Sequence, residues 1–239
     1  MKIAILTEII NRKSGARAAL EIAKSLACRQ AGLSLSLRNE VYIFAYDYNL
    51  EKEAVNELKK HSVKIKILHK NLFTPLKLLY FLRKEKFDVI SFQGTSPFFI
   101  GAKLSKIPII RTYYGTQLDP LLDRAFPKKP NIILKLINNS VNQLIKLHEK
   151  FIIKNSSEVI AISKYTQSEL KKLYGIRAEF VYLGAPNNKS LPSNKVTNNQ
   201  VTILSVSRIV PYKGFHNLIN IFNKLHIKYP NIKLTIIGS

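Results

Sequence analysis

The chain opens on Lys2-Ile-Ala-Ile-Leu-Thr7, a near-continuous apolar run rich in β-branched residues. Such a run is the pattern of a strand covered on both faces of a parallel sheet. A polar turn over Asn11 to Gly15 follows, and then Ala18, Ala19, Ile22, Ala23, Leu26 and Ala27 recur at helical spacing. Strand patterns continue at Val41–Tyr46, Val63–Leu68, Asp88–Phe92 and Pro108–Tyr113, separated by helical patterns near Glu51–Lys60, Pro75–Lys84 and Phe98–Leu104. Residues 128–154 read as one long helix, with Ile132, Ile133, Leu136, Ile137, Val141, Leu144, Ile145 and Leu147 on a broad apolar face. Two further strands, Glu158–Ser163 and Glu179–Leu183, flank a helix near Gln167–Tyr174. Strands alternating with helices of roughly 10 to 15 residues predict right-handed crossovers and an α/β fold built on a doubly wound parallel sheet. Ligands of such sheets bind at the carboxyl ends of the strands.

Between Ala185 and Gln200 the composition turns to Pro, Asn, Ser and Lys with almost no apolar residue. That stretch reads as an exposed linker at 185–200, which sets off a domain at 1–184. The pattern then restarts over 201–239 with strand Val201–Val206, a turn, helix Phe215–Tyr229 and strand Ile232–Ile237, and stops at Gly238-Ser239. About 40 residues bury too little surface to stand alone. The expectation is therefore an incomplete second Rossmann-like domain with an open sheet edge.

Composition narrows the partners. With 46% hydrophobic and 22% charged residues, the chain of 239 residues buries a core and is not disordered. Its 38 Lys and Arg against 15 Asp and Glu give a net charge of +23, a field that attracts phosphates, nucleic acid or anionic lipid. The charge is spread along the chain, and neither a zinc motif nor an aromatic RNA-binding signature accompanies it, so no specific nucleic-acid partner is expected. Cys28 is the one cysteine, which excludes a disulfide scaffold and a cysteine metal cluster and fits a reducing compartment, by default the cytoplasm. It is most simply a small packed residue on the first helix. The five histidines, His61, His69, His148, His216 and His226, show no metal-ligand spacing, so no metal or other cofactor is expected. Glu8 interrupts the first apolar run and no cleavage site follows, which marks a strand and not a signal peptide. No apolar run reaches the roughly 18 to 20 residues of a membrane span. Contact with a membrane would be peripheral, on its cytoplasmic face. The lysine-bordered apolar face of 128–154 suits either anionic lipid or packing on the sheet, and packing is the expectation because the stretch lies inside the βα alternation.

The most informative segment is Ser207-Arg208-Ile-Val-Pro-Tyr-Lys213-Gly214-Phe215, between a strand end and a helix start. A helix N-terminus there aims free N–H groups and a partial positive charge at an anion. Arg208 can grip two phosphate oxygens and Lys213 adds a point charge, an arrangement suited to a diphosphate with Gly214 beside it. The alternative is a solvated turn carrying two ordinary surface cations.

The spacing S-R-x4-K-G-F after an apolar strand, the strand end Ala161-Ile-Ser163 before a helix, Val181-Tyr-Leu-Gly184 before the linker and the N-terminal βα units together resemble family 4 glycosyltransferases of the GT-B fold. The resemblance runs over essentially the whole chain. It implies two Rossmann-like domains, the first holding an acceptor such as a glycan or a lipid-linked sugar, the second a nucleotide sugar whose sugar is transferred with retention. It also implies that Arg208, Lys213 and Gly214 bind the donor diphosphate. The strand that usually ends in a histidine reads Thr112-Tyr113-Tyr114-Gly115, which puts Tyr114 at about that place, and the preceding strand ends in Ser91-Phe92-Gln93-Gly94. Gln93 and Tyr114 are accordingly candidates for acceptor contact, as are Ser14, Gly15 and Arg17 in the loop after the first strand. The alternatives are polar caps on strand ends and an ordinary loop glycine. The family's E-x7-E pair has no counterpart, since only Glu169 and Glu179 follow Ser163. No catalytic residue is assigned, and the chain is expected to be truncated within the donor domain, with little or no transfer activity. Two other readings stay open: a non-enzymatic basic protein that binds nucleic acid or anionic membrane, and a subunit completed by a partner in trans.

Overall fold

The computed structural model describes residues 1–12, 14–27, 39–48, 50–115, 132–184, 201–210 and 213–238. The chain divides into two compact units, Met1–Thr116 with Lys146–Gly184, and Gln117–Ile145 with Ala185–Ser239.

In the first unit, strands β1 (Lys2–Leu6), β2 (Glu40–Tyr46), β3 (Lys64–Leu68), β4 (Val89–Phe92), β5 (Ile109–Tyr113), β6 (Glu158–Ala161) and β7 (Glu179–Phe180) alternate with helices α1 (Ser14–Ala27), α2 (Lys52–Lys60), α3 (Thr74–Glu85), α4 (Phe98–Ser105), the part of α5 (Ile132–Lys154) from Lys146 on, and α6 (Lys164–Tyr174). The strands form one parallel sheet in the order β3-β2-β1-β4-β5-β6-β7. This is the doubly wound, Rossmann-like α/β architecture expected from the alternation. The winding direction reverses between β1 and β4, and at that reversal the outgoing connections diverge and leave a crevice above the strand ends.

Alternation along each strand divides the core between the two faces. Ile3, Ile5, Val41, Ile43 and Ala45 pack with Ala19, Leu20 and Ala23 of α1 and with Ala54 and Leu58 of α2. Ala4, Leu6, Tyr42, Phe44, Phe92 and Ile109 pack on the other side with Leu78 and Leu82 of α3 and with Phe98, Phe99 and Ala102 of α4. Truncating one of the fully buried leucines to Ala should cost about 2 to 5 kcal/mol. Helices α3 and α4 meet closely at Gly101, where a Cβ would sit 2.4 Å from the Pro75 carbonyl oxygen. A third cluster, Tyr113, Ile153, Ala161, Leu170 and Tyr174, joins the ends of β5 and β6 to α5 and α6.

Two sequence expectations change here. The apolar face of α5 does not pack as its spacing suggested: Ile132, Ile133, Leu136, Ile137, Leu144 and Leu147 are exposed, whereas Ile152 and Ile153 in the last turn are buried. The strand expected over Glu179–Leu183 stops at Phe180, and Val181, Tyr182 and Leu183 are exposed. Helix α6 starts earlier than its apolar spacing indicates because Ser163 caps it. The Ser163 hydroxyl accepts from the Thr166 N–H at 3.1 Å, and the Ser163 N–H donates to Thr166 Oγ1 at 3.0 Å.

In the second unit β8 (Val201–Val206) and β9 (Ile232–Ile237) pair in parallel, from Val201 opposite Ile232 to Val206 opposite Ile237, joined through α7 (Phe215–Lys228). Val201, Leu204, Val206 and Ile237 are exposed, and Phe215 is the buried side chain of α7. Cys28 and the expected linker at 185–200 lie outside the described residues.

Candidate functional site

At the order reversal a pocket of about 210 Å³ opens above the strand ends, lined by Thr7 and Glu8 after β1, Gln93, Gly94 and Thr95 after β4, Arg111 and Tyr114 of β5 and its end, Ala16 of α1 and Glu149 of α5. Among the described residues two larger hollows lie elsewhere. One of about 700 Å³ sits where β5, β6 and β7 begin, and one of about 390 Å³ is an apolar trough over β1, β4, β5 and β6. Neither combines the carboxyl ends of β1 and β4 with a cluster of charged groups, so the smaller pocket is the candidate site.

Strand register assembles the polar floor. Pairing of Phe92 with Arg111 sets the ends of β4 and β5 side by side. The Gln93 amide, only 8% exposed, donates to Ser91 Oγ at 2.6 Å and to Thr112 Oγ1 at 3.0 Å, and its oxygen accepts the Tyr114 hydroxyl at 2.6 Å. The two residues singled out at these strand ends are thus brought into direct contact. Both amide protons of Gln93 are committed, which makes Gln93 the residue that positions Tyr114. Burial pushes the Tyr114 phenol up to about 12, with the Arg111 charge opposing the rise. The phenol stays neutral at physiological pH, and with its proton given to Gln93 its oxygen is left to accept a hydrogen bond.

Glu8 folds over the backbone after β4. A Cβ at Gly94 would lie 3.3 Å from Glu8 Oε1, and the Thr95 N–H donates to that oxygen at 3.4 Å. The Thr95 carbonyl in turn accepts from His148 Nε2 at 2.8 Å, tying α5 to the pocket wall. Glu149, on the next position of α5 and 5% exposed, accepts the Tyr174 hydroxyl at 2.6 Å. Arg111 is 4% exposed, and its Nε and Nη1 have no hydrogen-bond partner among the described residues. Its guanidinium lies 5.3 Å from the centre of the Phe92 ring. Loss of hydration pulls its pKa down, and the Glu149 carboxylate partly restores it.

The α1 loop candidates separate. Ser14 and Gly15 form the first turn of α1, next to pocket-lining Ala16. Arg17 is exposed and pairs along the helix with Glu21, Nε to Oε1 at 3.6 Å. Sequence reasoning missed Arg111, Glu149 and His148, and used Glu8 only to exclude a leader. The signal for Arg111 was available: strand alternation places it on the face of Ile109 and Tyr113, an interior position for a cation. Nothing local marks Glu149 or His148, which reach the pocket only through the packing of α5.

In the second unit Arg208 and Lys213 are exposed and flank the turn from β8 into α7. Gly214 is the N-cap at φ 70°, a left-handed conformation that suits glycine, and no side chain caps the helix. The N-terminus of this 14-residue helix therefore opens on the turn that carries both cations. Among the described residues no group of three or more His, Cys, Asp or Glu is placed to hold a metal ion.

A doubly wound parallel sheet of this strand order defines a Rossmann-like α/β domain. Residues 29–185 match the model of Glycosyltransferase Family 4, and residues 187–239 match that of Glycosyl transferases group 1. The first match spans more than half of the chain, and the chain belongs to glycosyltransferase family 4. It is 28% identical over 193 residues to an uncharacterized glycosyltransferase of Haemophilus influenzae, which covers 66% of this chain and 55% of that protein. The chain thus spans about half the length of the curated relative it matches. A crystal structure of the glycotransferase of kitacinnamycin aligns over 98% of this chain and 65% of its own, at a TM-score of 0.50 and 11% identity, a likeness of fold alone. The fold is GT-B-like. Among the described residues no helix is long and apolar enough to cross a membrane.

Proposed function

We propose that this chain takes part in transfer of a sugar, with retention, from a nucleotide-sugar donor to a carbohydrate or lipid-linked acceptor in the cytoplasm. The observation that carries the reading is the polar pocket at the β1–β4 reversal in a chain of this family. In this assignment residues 1–184 form the acceptor domain, 185–200 the linker and 201–239 the donor side. The acceptor enters the pocket over the Gln93–Tyr114 pair, where the neutral Tyr114 oxygen and the Glu8 carboxylate accept bonds from sugar hydroxyls. Ser14 and Gly15 contribute the N-terminal N–H groups of α1.

On the donor side Arg208 and Lys213 hold the diphosphate against the N-terminus of α7, with Gly214 keeping the backbone close. They stabilise the negative charge that grows on the departing nucleotide. No metal is invoked, because the two cations supply the counter-charge. The exposed face of α5, with Lys146, Lys150 and Lys154 in its later turns, supports peripheral contact with anionic lipid, an advantage where the acceptor is lipid-linked.

Titration of the 239-residue chain with UDP, GDP and ADP tests the reading. At least one should bind, and Arg208→Ala should weaken it by about 10- to 150-fold, the equivalent of one charged hydrogen bond of about 1.5 to 3 kcal/mol. Absence of binding by all three, or binding indifferent to Arg208 and Lys213, would overturn it.

A further inference from the structure

We propose that the pocket at the β1–β4 reversal takes its ligand by an acidic group, a carboxylate or a phosphate, which pairs with Arg111. The inference rests on the acceptor reading of that pocket for its biological meaning, but its evidence is independent of the donor side. Arg111 is a cation more than nine-tenths buried, lining an open pocket, with two guanidinium nitrogens that have no hydrogen-bond partner among the described residues. A buried charge in that state is unfavourable unless something pairs with it.

The Glu149 carboxylate offsets part of the Arg111 charge, but Nε and Nη1 receive no hydrogen bond among the described residues. Glu149 spends one oxygen on the Tyr174 hydroxyl, and Glu8 spends one on the Thr95 N–H. His148 is turned to the Thr95 carbonyl. The Phe92 ring, 5.3 Å from the guanidinium carbon, attracts the charge without satisfying its N–H groups. A guanidinium presents paired N–H donors in a flat fork that matches two oxygens of a carboxylate or a phosphate. Ala16 brings the first turn of α1 to the same pocket, and that turn holds no acidic residue. A volume of about 210 Å³ lies below the roughly 300 to 1,000 Å³ of sites for drug-sized ligands, so the pocket suits one small acidic moiety and not a nucleotide. Tyr114 and Glu8 remain to accept the neutral hydroxyls around it.

Calorimetric titration of the full chain with inorganic phosphate, glucuronate and neutral glucose provides the test. It compares the wild-type chain with Arg111→Met, Arg111→Lys and the second-unit variant Arg208→Ala. At least one anion should bind the wild type and Arg208→Ala alike, at least tenfold more tightly than glucose, and should lose at least tenfold in Arg111→Met. Arg111→Lys should fall between. Preference for phosphate or for glucuronate then tells a phosphorylated ligand from a sugar acid, and either supports the proposal. If Arg111→Met does not fold, hydrogen exchange in the wild type decides: added anion should slow exchange at Gln93–Thr95. The proposal is overturned if neither anion binds, if anion binding is unchanged in a folded Arg111 variant, or if exchange at Gln93–Thr95 does not respond. Anion binding at Arg111 without nucleotide binding at Arg208 would leave this inference standing and remove the donor reading; the reverse would do the opposite.

Discussion

Replacing Tyr114 by Phe deletes one hydroxyl and tests the floor of the pocket. That hydroxyl donates to Gln93 Oε1 at 2.6 Å, and Gln93 is buried, so water is poorly placed to take over. Leaving a buried acceptor without its donor costs about 1 to 3 kcal/mol. In a chain of this size each kcal/mol corresponds to roughly 2 to 4 °C in Tm, so the variant should melt about 2 to 12 °C lower. Gln93→Leu removes the same bond together with those to Ser91 and Thr112, and should cost more. Because both changes delete one shared bond, the double variant should be less unstable than the sum of the two by about 1 kcal/mol. Urea unfolding followed by circular dichroism gives the totals. Exchange of the backbone N–H at position 93, which donates to the Leu6 carbonyl at 2.9 Å, reports on the first unit alone. Strict additivity at that amide would show that the contact is not made in solution and would remove Tyr114 from the pocket.

The same tyrosine sets a pH dependence. Its folded pKa, raised to about 12, exceeds the ordinary value near 10, so the folded chain keeps a proton the unfolded chain has lost. The stability this group contributes is complete below about pH 10 and disappears as pH rises through 12; a tyrosinate absorbance titration should show a late step missing in Tyr114→Phe. Gly101→Ala should lower stability by about 1 to 3 kcal/mol, since its Cβ would lie 2.4 Å from the Pro75 oxygen and force α3 and α4 apart; an unchanged Tm would contradict that helix contact. Vesicle sedimentation tests the face of α5: the chain should pellet with vesicles rich in anionic lipid and less so after Leu144→Gln with Leu147→Gln. Equal pelleting of wild type and variant would place any lipid contact elsewhere.

The buried strands were legible because a parallel sheet covered on both faces needs apolar residues at nearly every position, as in Lys2–Leu6 and Glu40–Tyr46. The βα alternation then dictated the doubly wound topology and put Gln93 and Tyr114 at strand ends. Their mutual hydrogen bond was not legible, since it depends on the β4–β5 register. Arg111 could have been found from its place between Ile109 and Tyr113, where a cation breaks the interior pattern. Glu149 and His148 could not, because a helical position meets the pocket only once α5 has packed. The apolar face of α5 marks the limit of periodicity, which identifies a face but not what covers it. Ile152 and Ile153 pack, whereas Leu144 and Leu147 do not.

A crystal of the chain soaked with UDP or GDP tests most directly the proposed hold of Arg208 and Lys213, at the entrance to α7, on a donor diphosphate. Diphosphate density within hydrogen-bonding distance of both side chains, against the backbone at Gly214 and Phe215, is the predicted result. Nucleotide bound away from this turn, with both side chains unengaged, would contradict it.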